Sequence, residues 1–413
     1  MIGGSKTVKL AIYLPSFWPL AMGGAEIQAI RLAKSYRKQG IQVFFITPWQ
    51  QGLSLIEEYE GINVYRFKLL SHRITKLWKK KKKVKQIQNG EIVFDYSKMT
   101  GNSLLYPVKR INIFHVLYLL DFFLSLFVLA FKRRNEYTII QVNMVTYLAV
   151  LIAVIGRVLG KKVVVKDSTM DGLQQMYMMP FPNTARSFLK RNAYFVAMTQ
   201  QIHQNLRECS VASDRIVDIP NGIIIDSMYS VNRSLDFKAL FVGNLYQQPA
   251  KGIDILLKAW QQVNLQYPKA LLTIVGNGNI EAYRNHVSSM QLDDVIEIVG
   301  KDEPKKYYTS HDLFVLPSRR EGMSNALMEA MMYEMPVVAT NISGNQDLVL
   351  PYETGILVPP NDEVALANAI IECIQNKTIL NQWGKMGRNV ILEKYTITRV
   401  AGLYTEFYKS LLS

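Results

Sequence analysis

Apolar positions along this chain fall into two alternating patterns: short unbroken runs that suit buried strands, and longer stretches spaced as on one face of a helix. VKLAIYLP reads as a strand. AEIQAIRLAKSYRKQ follows as a helix, with Ile27, Ile30, Leu32, Ala33 and Tyr36 near helical spacing, and Gly40 stands where a C-terminal cap belongs. The next strand is IQVFFITP, so one β–α–β unit is complete and its two strands are expected side by side and parallel. The alternation continues with strand YTIIQVN, helix TYLAVLIAVIGRVLG and strand KKVVVKD. A helix near 183–193, strand YFVAMT, helix QQIHQNLREC and strand RIVDIP then lead to Asn221-Gly222.

Around 227–235 the pattern lapses into the polar stretch SMYSVNRSLD, the natural place for a domain boundary. A second series starts with strand FKALFVG, helix IDILLKAWQQVNLQ, strand ALLTIVG, helix EAYRNHVSSM and strand VIEIVG. Helix PKKYYTSH, strand DLFVLPS, helix NALMEAMMY and strands PVVATN and TGILVPP continue it, and the chain ends in helices ALANAIIECIQ and VAGLYTEFYKSLL. Two doubly wound α/β domains are the expected result, with ligands at the carboxyl ends of their strands.

Composition changes this picture little. Hydrophobic residues make up 49% and charged residues 20% of the 413, an ordinary globular balance. Two cysteines, Cys209 and Cys373, are too few for a disulfide scaffold and suit a reducing compartment. The first residues lead straight into a strand without the features of a signal peptide, so a cytoplasmic location is expected. No Asp-x-Asp pair or His/Cys cluster suggests a metal site, and no cofactor is expected.

Charge is more informative. Residues 1–234 hold 32 Lys and Arg against 14 Asp and Glu, whereas the remainder holds 16 against 19. Such asymmetry points to a polyanion or an anionic surface as partner for the first half. The densest run holds Arg73, Lys76, Lys79, Lys80, Lys81, Lys82, Lys83 and Lys85 with Trp78 among them, suited to peripheral attachment on the inner face of an anionic membrane. Residues 111–131 are apolar enough to resemble a membrane span. Asp121 at their centre and the need for a helix before YTIIQVN argue instead for an N-domain helix, buried or partly exposed to lipid. No nucleic-acid recognition motif accompanies the basic residues.

Candidate chemistry concentrates in 311–349, HDLFVLPSRREGMSNALMEAMMYEMPVVATNISGNQDLV. A strand ends at Pro317-Ser318, a loop carries Arg319, Arg320, Glu321 and Gly322, and a helix starts near Asn325. Amides at a helix start suit a phosphate, and the carboxylates of Glu321 and Glu329 suit sugar hydroxyls. This chemistry alone suggests a phosphorylated sugar ligand. Each feature in isolation is also compatible with a solvated loop or a plain turn, and His311 reads as structural.

Taken together, the Gly23-Gly24-Ala25-Glu26 loop, the IPNGI turn at 219–223, Lys251-Gly252, the VGNGN turn at 275–279 and SRREGMSNALMEAM resemble the retaining glycosyltransferases of family 4 across nearly the whole chain. The resemblance implies the GT-B fold, two facing Rossmann-like doubly wound domains with the donor cleft between them. Residues 1–230 would form the acceptor domain, 235–390 would bind the nucleotide sugar, and a terminal helix of about 391–413 would pack back on the first. It implies that Glu321 holds hydroxyls of the transferred sugar and that amides of Gly322, Met323, Ser324 and Asn325 meet sugar and diphosphate. Glu329 would bind the ribose, and Lys251 would neutralise the departing diphosphate. Gly23 and Gly24 would approach that diphosphate, while Gly276, Asn277 and Lys301 would flank the base.

Two positions depart from the family pattern. Asn244 stands in place of an arginine and Lys251 comes two residues late, with Arg319 or Arg320 as candidate substitutes. Lys166-Asp167 replaces the His-Asp pair of many relatives in the candidate catalytic loop. The implied activity is metal-independent, retaining transfer of a hexose-type sugar to a glycan or lipid-linked acceptor, as in surface polysaccharide synthesis. The alternatives are a sugar-nucleotide epimerase of the same fold and a basic nucleic-acid-binding protein.

Overall fold

A computed structural model describes residues 7–17, 23–69, 113–167, 172–176, 181–246 and 249–413, and these divide into two compact units. The first comprises Met1–Ala197, Ile202–Ile219 and Ala401–Ser413, and the second Met198–Gln201 and Pro220–Val400.

In the first unit the apolar runs form β1 (Lys9–Tyr13), β2 (Gln42–Pro48), β3 (Ile56–Tyr59), β4 (Ile62–Phe67), β5 (Ile139–Val142), β6 (Lys162–Asp167), β7 (Tyr194–Ala197) and β8 (Ile216–Asp218). Their order is β3-β4-β2-β1-β5-β6-β7-β8. Every pairing is parallel except β3 with β4. Helices α1 (Gly24–Lys38), α2 (Ile113–Lys132), α3 (Tyr147–Val158), α4 (Pro182–Asn192) and α5 (Gln200–Glu208) follow in sequence. Parallel strands covered on both faces must be apolar throughout, and β5 is buried at every position. The β3–β4 hairpin is absent from the sequence expectation. Its turn holds Glu60 and Gly61, both at positive φ, and strand β3 (IEEY) alternates half-buried with exposed positions as an edge strand does.

The second unit holds β9 (Lys238–Val242), β10 (Leu271–Val275), β11 (Ile296–Gly300), β12 (Leu313–Leu316), β13 (Val337–Thr340) and β14 (Gly355–Val358), all parallel in the order β11-β10-β9-β12-β13-β14. Helices α6 (Ile253–Gln266), α7 (Ile280–Ser289), α8 (Asn325–Met332), α9 (Glu363–Gln375) and α10 (Lys377–Lys394) follow, and α11 (Ile397–Ser410) belongs from Ala401 onward to the first unit. The strand order reverses between β9 and β12, which opens a crevice at their carboxyl ends. Helix α10 was not expected from the pattern. Gly384 and Gly387 dilute its apolar stripe, yet a Cβ at Gly384 would stand 2.1 Å from the Glu334 carbonyl, so glycine is what lets this helix press against the end of α8.

The stretch around 227–235 has no regular structure, but it lies inside the second unit, and the units divide after Ile219. Its polar residues grip that unit rather than link loosely. Tyr229 meets Tyr333 edge-on at 5.3 Å and donates to Glu334, and Arg233 donates to the His311 and Glu334 carbonyls. At the other end of the chain, Tyr404 and Tyr408 of α11 pack edge-to-face on Tyr36 of α1, which fixes residues 401–413 in the first unit. Apolar helix α2 turns Phe122, Leu126 and Ala130 inward, with Phe122 edge-on to Phe67 of β4. Among the described residues, no helix is long and apolar enough to cross a membrane.

His311 shows how polar groups are accommodated in the second core. Its ring nitrogens meet Thr273 Oγ1 at 2.8 Å and Ser310 Oγ at 3.0 Å, and burial holds its pKa down at about 4 from the ordinary 6.5. Unfolded chains therefore bind a proton there that the folded chain refuses between about pH 6.5 and pH 4. This contribution is intact above pH 6.5 and is lost as the pH falls toward 4, with a ceiling of about 3 kcal/mol. Urea titrations of wild type and His311→Asn between pH 7 and pH 4 should show a flatter pH dependence in the variant; equal slopes would contradict the assignment.

Candidate active site

The site grows from the carboxyl ends of β9, β10 and β12. After β12, buried Ser318 donates its Oγ to Glu321 Oε1 at 3.0 Å, and Lys251 forms an ion pair with the same carboxylate oxygen. Both charged groups are largely shielded, with side-chain exposures of 27% for Lys251 and 13% for Glu321. A charge pair so placed is far less screened than one on an open surface. Lys251 reaches this position because Gly252 follows it at φ +66°, capping α6, and because a Cβ on Gly252 would stand 2.0 Å from the Pro317 carbonyl.

The loop from Ser318 to Ser324 is supported from below. Thr340 Oγ1 donates to the Ser318 carbonyl, and buried Asn345 donates to the Thr340 carbonyl at 2.9 Å. A Cβ on Gly344 would stand 1.5 Å from the Gly322 carbonyl, so loop and 343–346 turn touch backbone to backbone. Ser324 caps α8 by accepting from the Leu327 amide at 3.3 Å. Asn221, in the turn after β8, donates to the Met323 carbonyl at 3.2 Å and to Asn325 Oδ1 at 3.3 Å. Met323 is thereby buried, whereas Gly322 and Asn325 stay partly open at the mouth of the helix. Further along α8, Glu329 accepts from the hydroxyl of buried Tyr308 at 3.2 Å, leaving its carboxylate half-exposed and oriented.

Beside this group, the loops after β9 and β10 interlock. Leu245 donates to the Asn277 carbonyl at 2.8 Å, and its own carbonyl accepts from Asn279 at 3.0 Å. Gly276 lies against the Gly243 carbonyl and donates to that of Gly300, at the end of β11. Asn244 and Lys301 are exposed at these strand ends, and Asn277 donates its side-chain amide to the Tyr246 hydroxyl at 3.2 Å.

Lys251, Glu321, Gly322, Met323, Ser324 and Asn325 thus converge, Glu329 stands one α8 turn on, and Asn244, Gly276, Asn277 and Lys301 line the neighbouring strand ends. Arg319, a candidate substitute for the arginine replaced by Asn244, is committed elsewhere. Its guanidinium grips Asp254 with two hydrogen bonds of 2.6 and 2.7 Å and also donates to Asn361. Arg320 is exposed. Sequence reasoning missed Tyr308, Thr340 and Asn345, which act from other elements and carry no local motif. It assigned no role to Ser318 either, although that residue lies within the quoted signature.

Four expected residues lie in the first unit. Gly23 and Gly24 open α1, exposed, where the Gly23 amide donates to Glu26 at 2.9 Å. Lys166 and Asp167 are consecutive on β6 and so face opposite sides of the sheet. Lys166 is buried with its ammonium 5.9 Å from the Tyr404 ring, and burial pushes its pKa down to about 7 from 10.5. Asp167 is buried against Gly172. The basic run Arg73–Lys85 lies outside the described residues.

The structure thus sets a carboxylate paired with a lysine beside a capped helix start and a second oriented carboxylate. Comparison with known proteins shows the family to which the chain belongs. Residues 236–376 match the family described as glycosyl transferases group 1, and residues 22–227 match glycosyltransferase family 4. The chain belongs to this group 1, family 4 class of glycosyltransferases. It is similar to an uncharacterized glycosyltransferase of Haemophilus influenzae, 32% identical over 164 residues, covering 39% of this chain and 46% of that one. It is also similar to the phosphatidyl-myo-inositol mannosyltransferase of Mycobacterium leprae, 28% identical over 208 residues, covering 47% and 53%. A third relative is the UDP-Gal:alpha-D-GlcNAc-diphosphoundecaprenol alpha-1,3-galactosyltransferase of Escherichia coli, 26% identical over 220 residues, covering 49% and 56%. The chain spans about half the length of the curated relatives it matches.

Among solved structures, sucrose-phosphate synthase from Thermosynechococcus elongatus superposes with a TM-score of 0.73 at 20% identity, covering 98% of this chain and 99% of that one. Anabaena HepE in complex with UDP gives 0.71 at 18% identity, covering 98% and 100%. The fold is therefore GT-B.

The backbone contact at Gly344 carries a testable consequence. A methyl group there must displace the 321–323 loop, so Gly344→Ala should cost about 1–3 kcal/mol and lower the melting temperature by several degrees. An unchanged melting temperature would show that the loop does not rest on this contact.

Proposed function

We propose that this protein transfers a sugar from a nucleoside-diphosphate sugar to a glycan or lipid-linked acceptor, with retention of anomeric configuration and without a divalent metal, in assembly of surface polysaccharide. The observation that carries the reading is the Lys251–Glu321 pair held by Ser318 at the carboxyl end of β12. The E. coli and M. leprae relatives support the acceptor class by the lipid-linked and lipid substrates their names state.

In this reading the donor diphosphate takes the place of the Glu321 carboxylate as partner of Lys251, and α8 amides add their partial positive charge. Glu321, released from the lysine but still held by Ser318, accepts from hydroxyls of the sugar. Glu329, oriented by Tyr308, accepts from the ribose. As the bond between the anomeric carbon and the phosphate oxygen breaks, negative charge grows on the diphosphate, where Lys251 is already placed to meet it. Such preorganised charge is the largest single term in many enzymes. The acceptor oxygen bonds to the same face of the anomeric carbon, and its proton passes to the departing phosphate oxygen. Lys251 supplies the positive charge that a bound cation supplies elsewhere, and no step needs a cofactor.

A thermal-shift screen of UDP-, GDP- and ADP-sugars tests this, with magnesium and with chelator. A ligand at about a hundred times its dissociation constant stabilises the fold by about 2.7 kcal/mol. One base should shift wild type equally in both conditions, and Glu329→Ala should lose most of that shift. No shift with any donor, or one that needs magnesium, contradicts the reading.

A further inference from the structure

Helix α2 completes the first sheet with one face and leaves the opposite face apolar. Leu117, Leu120, Leu124, Val128 and Phe131 recur at intervals of three and four, so they align in one stripe, about 21 Å long at the helical rise. Each is between 45% and 54% exposed, whereas Phe122, Leu126 and Ala130 on the other face are buried. Phe123, Phe127 and Phe131 stack in succession at 6.1 Å, which extends the stripe with aromatic rings. Asp121 stays on the flank and accepts from Ser125 at 3.1 Å. Isolated exposed apolar residues need no explanation, but a continuous stripe of large ones marks an interaction surface.

The charge around the stripe indicates its partner. At its C-terminal end Lys132 and Arg134 are exposed, and the Arg134 guanidinium lies 4.2 Å from the centre of the Phe131 ring. Three cations from separate elements, Lys9, Arg134 and Lys161, stand close enough that their mutual repulsion adds to burial in lowering the pKa of Lys161. Arg133 is already engaged by Glu136, the acidic group beside them. Like charges gathered at the end of an apolar stripe cost stability in isolation and gain it against an anionic surface. The Arg134 guanidinium folds back over that ring and donates to the Phe131 carbonyl at 3.0 Å, so its charge is held at the very end of the apolar stripe.

We propose that the outer face of α2 is a docking surface for an anionic bilayer, the helix lying in the interface with Leu120, Leu124, Val128 and Phe131 among the acyl chains and Lys132 and Arg134 among the headgroups. This attachment uses residues outside the candidate donor site and does not depend on the transfer reaction.

Flotation of the full chain with vesicles of equimolar phosphatidylglycerol and phosphatidylcholine tests it, beside phosphatidylcholine alone. The chain should float with the anionic vesicles and less with the neutral ones. Leu120→Ser/Leu124→Ser should lower the bound-to-free ratio roughly tenfold or more. Lys132→Glu/Arg134→Glu should lower it by a similar factor, more at low salt than at high. The altered side chains are exposed, so melting temperatures and any nucleotide-sugar shift should match wild type. Flotation unchanged in the apolar variant overturns the proposal, as does a dimer in solution that the same variant dissociates without any lipid binding in wild type.

Discussion

The second unit depends on contacts in which backbone meets backbone at the carboxyl edge of its sheet. Gly252 lies on the Pro317 carbonyl, and Gly344 lies on that of Gly322. No side chain separates these segments, so loops from distant parts of the sequence are held at the closest distance two chains can reach. Larger residues would have to push apart the groups that the site needs together. The strand reversal between β9 and β12 makes the crevice, and these contacts hold the loops after β12 and β13 in place beside it.

Within that crevice one pairing organises the chemistry. Lys251 and Glu321 arrive from different loops and neutralise each other, which relieves the cost of holding either charge in a shielded place. Under the proposed function this same pairing is the state that the donor must displace, with a diphosphate substituting for a carboxylate at the lysine. Ser318 keeps its hydrogen bond to Glu321 throughout, and the relay from Asn345 through Thr340 to the Ser318 carbonyl gives that carboxylate a rigid base. Tyr308 does the same for Glu329. Preorganisation here is a property of buried residues behind the site rather than of those facing the ligand.

Much of this was legible in the residue order, for identifiable reasons. Buried parallel strands must be apolar throughout, so β1, β5, β6, β10 and β12 stand out as unbroken runs. The segment 317–329 places its carboxylates, loop and helix start in one stretch. Elements whose residues answer to distant partners were not legible. Strand β3 reads as polar because it is an edge, and α10 reads as weakly periodic because Gly384 serves the end of α8. Arg319 or Arg320 was the candidate substitute for the arginine that Asn244 replaces, but Asp254, from another element, holds Arg319. Residues around 227–235 looked like a linker because hydrogen bonds to carbonyls, unlike apolar packing, leave no pattern in sequence.

Under the proposed function Lys251 and Glu321 act on the two halves of one donor, the diphosphate and the sugar. The most direct test is titration calorimetry of the purified protein with the free nucleoside diphosphate and with the intact nucleotide sugar, in wild type, Lys251→Met and Glu321→Gln. Lys251→Met should weaken both ligands, whereas Glu321→Gln should weaken the nucleotide sugar but leave the free diphosphate bound as tightly as in wild type or more so. Equal losses for both ligands in Glu321→Gln, or full affinity for the diphosphate in Lys251→Met, would contradict the proposed function.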